Sequence, residues 1–178
     1  MGLSSFPSVI SSYSVIKTPQ FDTRIIGYGG KTEQRISMQD DPRHTLKLKF
    51  EILIPSDLDL IEAFFRTCKG AYTAFYLPAP DEVYRSKIWA ANTAYTANQI
   101  VRPTIVNGHS YKCTTAGTSH ATTEPTWTTT INGTNSDGTV TWTENTYTVR
   151  FKEDVINLDY FTYNLYNLGE IEFIEVAA

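Results

Sequence analysis

Cysteine is scarce in this chain: Cys68 and Cys113 are the only two in 178 residues. They fall in segments of different composition, so a disulfide framework is not expected, and the pattern suits a reducing compartment. The three histidines are scattered. His109 and Cys113 stand four apart, but no Cys-x-x-Cys or second His pair completes a zinc set, and no metal is expected. No apolar run approaches the roughly 20 residues that span a bilayer, so membrane insertion is not expected. The opening MGLSSFPSVISSYSVIK lacks a basic segment followed by an unbroken apolar one, so no secretory leader is expected. Positive charge is also short: 15 Lys and Arg against 19 Asp and Glu give a net −4 and a pI near 5.3. That argues against nucleic acid as a main partner, since phosphate binding needs a basic face, and no specific nucleic-acid recognition is expected.

Catalytic motifs are missing as well. There is no nucleophile elbow, P-loop, Gly-x-Gly-x-x-Gly or His-Glu-x-x-His. Glu124 and Asp137 are the one pair that a glycosidase reading would use, but Glu124 precedes a proline and Asp137 a glycine. Both contexts read as turns. No catalytic residue, no cofactor and no enzyme activity are expected.

What the chain has is an uneven distribution. Residues 86–146 hold only six charged side chains, Lys87, Arg102, Lys112, Glu124, Asp137 and Glu144, while the other 117 residues hold 28. The same segment contains 17 threonines and all three tryptophans. A composition change at both ends marks a module inserted in a host domain. As a floppy loop, 61 residues would cost roughly 3.6 kcal/mol of closure entropy plus a constant, which favours a self-folding module with neighbouring ends. The expected division is a discontinuous host over 1–85 and 147–178, with the insert at 86–146.

In the host, SYSVIKTP and FDTRIIGYGG read as strands, with a break at Thr18-Pro19 and a turn at Gly29-Gly30. In RHTLKLKFEILIP, Leu46, Leu48, Phe50, Ile52 and Ile54 share one parity, and Lys47, Lys49 and Glu51 the other, as in a half-buried antiparallel strand. SDLDLIEAFFRTCKG switches to helical spacing, with Leu58, Ile61, Phe64 and Phe65 as the stripe, Ser56 as N-cap and Gly70 as C-cap. Strand character resumes in AYTAFYLPAP, and three further strands are expected after the insert. Tyr160, Phe161, Tyr163 and Tyr166 make the middle one aromatic on both parities, as in a strand buried on both faces or one facing another subunit. The expected fold class is mainly β: a β-sandwich or half-barrel host with one α-helix, plus a small inserted all-β module.

Several host segments have a familiar order. FPSVISSYSVIKTPQFDTRI, EQRISMQDDPRHTLKLKFEIL, DLDLIEAFFRTCKGAYTAFYLPAPDE and the closing GEIEFIEV together resemble the distal tail proteins of long-tailed bacteriophages and gene-transfer agents. The resemblance spans most of 5–85 and 147–176. It departs at Ile36-Ser37-Met38, where relatives often carry a tryptophan nearby. It implies a structural virion protein at the tail tip, assembled in the bacterial host cytoplasm. It further implies a homo-oligomeric ring, hexameric in this family, joining the tail tube protein to the hub and receptor-binding proteins. Tyr160, Phe161, Tyr163 and Tyr166 are then the candidate oligomer interface.

The insert reads as short strands, KIWAANTAY, QIVRPTIVNGHSYKCTTAG, TEPTW and DGTVTWTEN, with Asn107-Gly108 as a tight hairpin turn and Asp137-Gly138 as a second turn. It resembles small β modules spliced into phage tail proteins, some of them similar to carbohydrate-binding modules. The resemblance implies contact with host cell-surface glycans, for which Trp89, Tyr95, Tyr111, Trp127, Asn132, Asn135, Asp137 and Trp142 are the candidates. A carbohydrate-binding or host-adhesion protein, in which the insert carries the main function, is the alternative to the ring protein. Against the sugar reading stands size. So small a module needs its large rings as core, and at least two of the three indoles are expected inside.

Overall fold

The computed structural model describes residues 3–9, 12–163 and 165–176, with the side chains of 12–14 and 160–162 outside the description. The host begins with strands β1 (Ser12–Gln20), β2 (Thr23–Tyr28), β3 (Thr32–Ser37) and β4 (Arg43–Phe50). Helix α1 (Pro55–Cys68), strand β5 (Phe75–Pro78) and the short helix α2 (Pro80–Arg85) follow. The insert supplies β6 (Lys87–Ile88), β7 (Ala94–Tyr95), β8 (Ile100–Arg102), β9 (Tyr111–Thr115), β10 (Gly117–Thr118), β11 (Thr134–Asp137) and β12 (Val140–Glu144). The chain closes with β13 (Thr146–Phe151), β14 (Asp159–Thr162), β15 (Leu165–Asn167) and β16 (Gly169–Glu175). Strand outweighs helix by 44% to 14%, so the fold is mainly β.

The alternation along β4 builds the host layer. Leu46, Leu48 and Phe50 are buried, and the sheet runs β1-β4-β16-β13-β5 with every neighbour antiparallel. Ile171 and Phe173 of β16, Val149 and Phe151 of β13, and Phe75 and Leu77 of β5 join the same core, onto which α1 lays Leu58, Ile61 and Cys68. Phe6, from the N-terminal arm, packs among Phe50, Phe64, Phe75 and Phe173 at centroid distances of 5.5–6.1 Å. Edge-on pairs such as Phe65 with Phe151, 4.9 Å apart at 77°, have the geometry the ring quadrupoles favour. The other face of the sheet is polar, and Lys47 and Lys152 both pair with Glu172.

The ends of α1 differ from expectation. Pro55, not Ser56, opens the first turn, with Ile54 at the N-cap; proline's fixed φ and missing N–H suit that place. At the other end Lys69 is the left-handed C-cap at φ 55. Gly70 follows at φ +61, where a Cβ would come within 2.5 Å of Asp154 Oδ1. A second helix, α2, occupies the stretch between β5 and the insert. Its Asp81 pairs with Lys17 at 3.4 Å, and Lys17 Nζ donates to Tyr147 Oη at 2.8 Å, tying α2 to β1 and β13.

Two hairpins stand apart from this sheet. β1 continues through Pro19 to Gln20, so the expected break moves to Phe21-Asp22. Beyond it β2 and β3 pair, among the described residues, only with each other. Every residue of these two strands except Ile26 is exposed. The aromatic stretch 160–166 is two strands, β14 and β15, rather than one, because the chain reverses at Tyr163, which is 89% exposed. Tyr166 packs against the host core, and its backbone bridges Leu53. The side chains of Tyr160 and Phe161 lie outside the described residues.

The insert forms a second sheet in the order β11-β12-β9-β8-β6, antiparallel except for β6 with β8, beside a β7-β10 pair. It leaves the host at the end of β5 and returns at the start of β13. Those two strands are neighbours, with Pro78 opposite Thr146, and Ala79 N–H donates to Asn145 O at 3.0 Å. Residues 79–145 are thus one hairpin connection enlarged into a module.

Candidate functional site

The insert is organised around rings whose polar ends need partners. Trp142 and Tyr111 are fully buried, and Tyr95, Val101, Cys113 and Val140 complete the core, with Trp89 and Trp127 half-buried against it. An indole N–H inside a protein must meet an acceptor or bear a desolvation penalty. Asp137 answers this for two rings at once. Its Oδ2 accepts from Trp89 Nε1 at 2.7 Å and from Trp142 Nε1 at 3.0 Å, while Oδ1 accepts from His120 N at 2.8 Å. Glu124 Oε1 accepts from Trp127 Nε1 at 2.7 Å and from Thr104 N at 2.9 Å. Glu144, with no exposed side-chain surface, has His109 Nδ1 at 2.5 Å and accepts from Asn132 N at 3.1 Å. All three carboxylates of the insert therefore serve as acceptors, Asp137 and Glu144 buried and Glu124 half-buried.

Of the two acids read as turn residues, Glu124 lies in irregular backbone between β10 and β11, and Asp137 is corrected. Asp137 is the last residue of β11, buried, and the two-residue turn is Gly138-Thr139. Asn107-Gly108 is not a tight hairpin turn either: β8 ends at Arg102 and β9 starts at Tyr111, so it sits in the loop 103–110. Pro103 has no N–H to extend the ladder. Thr104 N is drawn off to Glu124, and Asn145 N donates to Ser110 O.

The structure separates the glycan candidates into two sets. Tyr95, Tyr111, Asn135, Asp137 and Trp142 are buried, and present no flat ring or polar edge to solvent. Asn135 Oδ1 accepts from Thr128 N, and Tyr111 Oη donates to Thr128 O at 2.8 Å while accepting from Asn107 Nδ2 at 2.9 Å. Burial pushes the Tyr111 hydroxyl up to about 12. Asn132 is exposed, and Trp89 and Trp127 keep part of their rings at the surface. Sequence reasoning missed Glu144, His109, Asn107 and Ser119, the last a buried hydroxyl donating to Ala90 O at 2.8 Å. The available signal was scarcity: so few acids in a module with three indoles are needed as acceptors.

Where host and insert meet, a cavity of about 490 Å³ opens between Phe6, Leu77, Val83 and Tyr84 on one side and Val106 and His109 on the other. Its wall is mostly apolar, and Tyr84 and Val106 at its edge are exposed. No helix is long and apolar enough to cross a membrane among the described residues. No family model and no curated protein matches the chain.

Proposed function

We propose that the chain is a structural protein of a phage tail tip, whose host domain assembles into a closed ring of six between tail tube and hub, with the insert facing outward. The observation that carries this reading is the free-standing β2–β3 hairpin. A two-stranded hairpin without a packed face is marginal in water. This one exposes Ile25, Tyr28 and Ile36, with Phe21 and Met38 at its root. Such an arm gains stability by lying on another surface, and a contact between unlike surfaces of successive copies closes into a ring when the rotation allows. The order of the host segments supplies the resemblance to distal tail proteins, and the expected partners follow from it.

Sedimentation velocity at high concentration, with negative-stain images, tests the reading. Wild type should give six-fold rings, and the double variant Ile25→Asp, Ile36→Asp should give folded monomers. Wild type that stays monomeric at every concentration overturns it. The adhesive reading, in which the insert contacts glycans, draws on the exposed Asn132 and on the surface portions of Trp89 and Trp127. A glycan array with the whole chain checks it, and silence from wild type removes it.

A further inference from the structure

The insert contains two Asn-Gly pairs, Asn107-Gly108 and Asn132-Gly133. A glycine after asparagine leaves its backbone nitrogen unobstructed, so that nitrogen can attack the asparagine side-chain carbonyl. The structure treats the two pairs differently. Gly133 N–H is already donated to Thr130 O at 2.8 Å, and a Cβ at Gly133 would fall 2.6 Å from the Thr128 methyl group. Asn132 Oδ1 is held by Thr146 Oγ1 at 3.2 Å. Attack there requires breaking packed contacts. Gly108 lies in an exposed loop with nothing within 4 Å of an added Cβ, and among the described residues its N–H has no acceptor. Asn107 Oδ1 accepts the His109 N–H at 3.0 Å, an Asx turn that folds the carboxamide over the Gly108 peptide.

We propose that Asn107 is a site of spontaneous deamidation, and that the change releases the segment carrying Trp127. The Gly108 nitrogen gives up its proton and bonds to Asn107 Cγ. The bond from Cγ to Nδ2 breaks, and ammonia leaves. Water then opens the cyclic imide to aspartate or isoaspartate at position 107, with no change of oxidation state. The product has lost its side-chain donor. In the amide form Asn107 Nδ2 donates to Tyr111 Oη, which spends its single proton on Thr128 O. A carboxylate at 107 that stays against Tyr111 accepts that proton and draws it away from Thr128 O, which breaks the link to the segment carrying Trp127. Thr128 adjoins Trp127, whose ring centroid is 4.3 Å from that of Tyr111. The nearby Glu144, already on His109, adds like-charge repulsion. Trp127 becomes more exposed as residue 107 converts.

Intact protein held in mildly alkaline buffer, sampled over time and digested with trypsin, tests this directly. Trypsin places Asn107 in the peptide 88–112 and Asn132 in 113–150, because Arg102 precedes a proline. The amide-to-acid mass shift should accumulate in 88–112, with isoaspartate present, while 113–150 lags. Tryptophan emission should move to the red in step. Asn107→Asp should show the red shift from the start, and Trp127→Phe should abolish it. Asn107→Gln, whose longer side chain closes the ring poorly, should keep its mass and emission. The proposal fails if residue 107 stays unconverted, if Asn132 converts first, or if aged protein and Asn107→Asp both keep the wild-type emission.

Discussion

Host and insert solve the same packing problem with different chemistry. The host buries phenylalanines, and rings such as Phe6, Phe50, Phe75, Phe151 and Phe173 need nothing but neighbours. The insert buries tyrosine and tryptophan, and each buried polar tip obliges it to supply an acceptor: Asp137 for two indoles, Glu124 for a third, Thr128 O for Tyr111. A hydrocarbon core tolerates small shifts. A core held by shared carboxylates fails when one acceptor is removed, because several donors lose their partner together. The few acids of the insert are used as acceptors, two of them, Asp137 and Glu144, buried.

All three tryptophans lie in the insert, so indole emission reports on that module while circular dichroism also sees the host. Asp137→Ala should break the comparison hardest, costing roughly 3–5 kcal/mol by stranding two indole N–H groups and His120 N. The indole-monitored denaturant transition should move first. In the host, Phe173→Ala should cost a similar 3–5 kcal/mol from lost packing, yet move mainly the dichroism transition. Coincident shifts in both variants would show that the two cores unfold as one unit.

Alkali should separate the modules next. An unfolded tyrosine ionises near about 10, whereas Tyr111 holds its proton to about 12 because it is buried. The folded state therefore keeps a proton that the unfolded one releases. Stability present below that range is lost as pH rises through it, up to about 2–3 kcal/mol, and Tyr111→Phe should flatten the slope. Tyr147 in the host is also pushed up, by burial first and Asp81 second, so its substitution is the matching control.

The surface should matter less. Glu172 lies below the ordinary carboxylate range, chiefly because Lys152 and then Lys47 donate to it. Its contribution is present above the unfolded carboxylate value and disappears as pH falls through the lower folded one. Glu172→Gln should thus cost about 0.5–1 kcal/mol at neutral pH and nothing in acid, by thermal melts at both pH values. Replacing 23–37 with a short polar turn should alter monomer stability least, by roughly 0.5 kcal/mol or less, while abolishing any self-association.

The sequence disclosed what depends on period and composition. The alternation of Leu46, Leu48 and Phe50 and the stripe Leu58, Ile61, Phe64 and Phe65 were legible. Of the indoles, two or more were expected inside, but Trp142 alone is fully buried, while Trp89 and Trp127 are half-buried against the core. What it concealed depends on long-range partners. Asp137-Gly138 looks like a turn from its neighbours, and the donors that make Asp137 an acceptor include Trp89, 48 residues away, and His120, 17 away. The reversal at Tyr163 was hidden because flanking aromatics have strand propensity whether or not the chain turns. β3 was unreadable as a strand because neither of its faces is buried, so no alternation exists to detect.

The paired ends of β5 and β13 give the chain a modular joint. A two-residue turn from Pro78 to Thr146 closes the same ladder that now carries the insert. The host sheet is therefore a socket: cassettes of other sizes and surfaces can be exchanged at this one position while the strand order beneath stays the same.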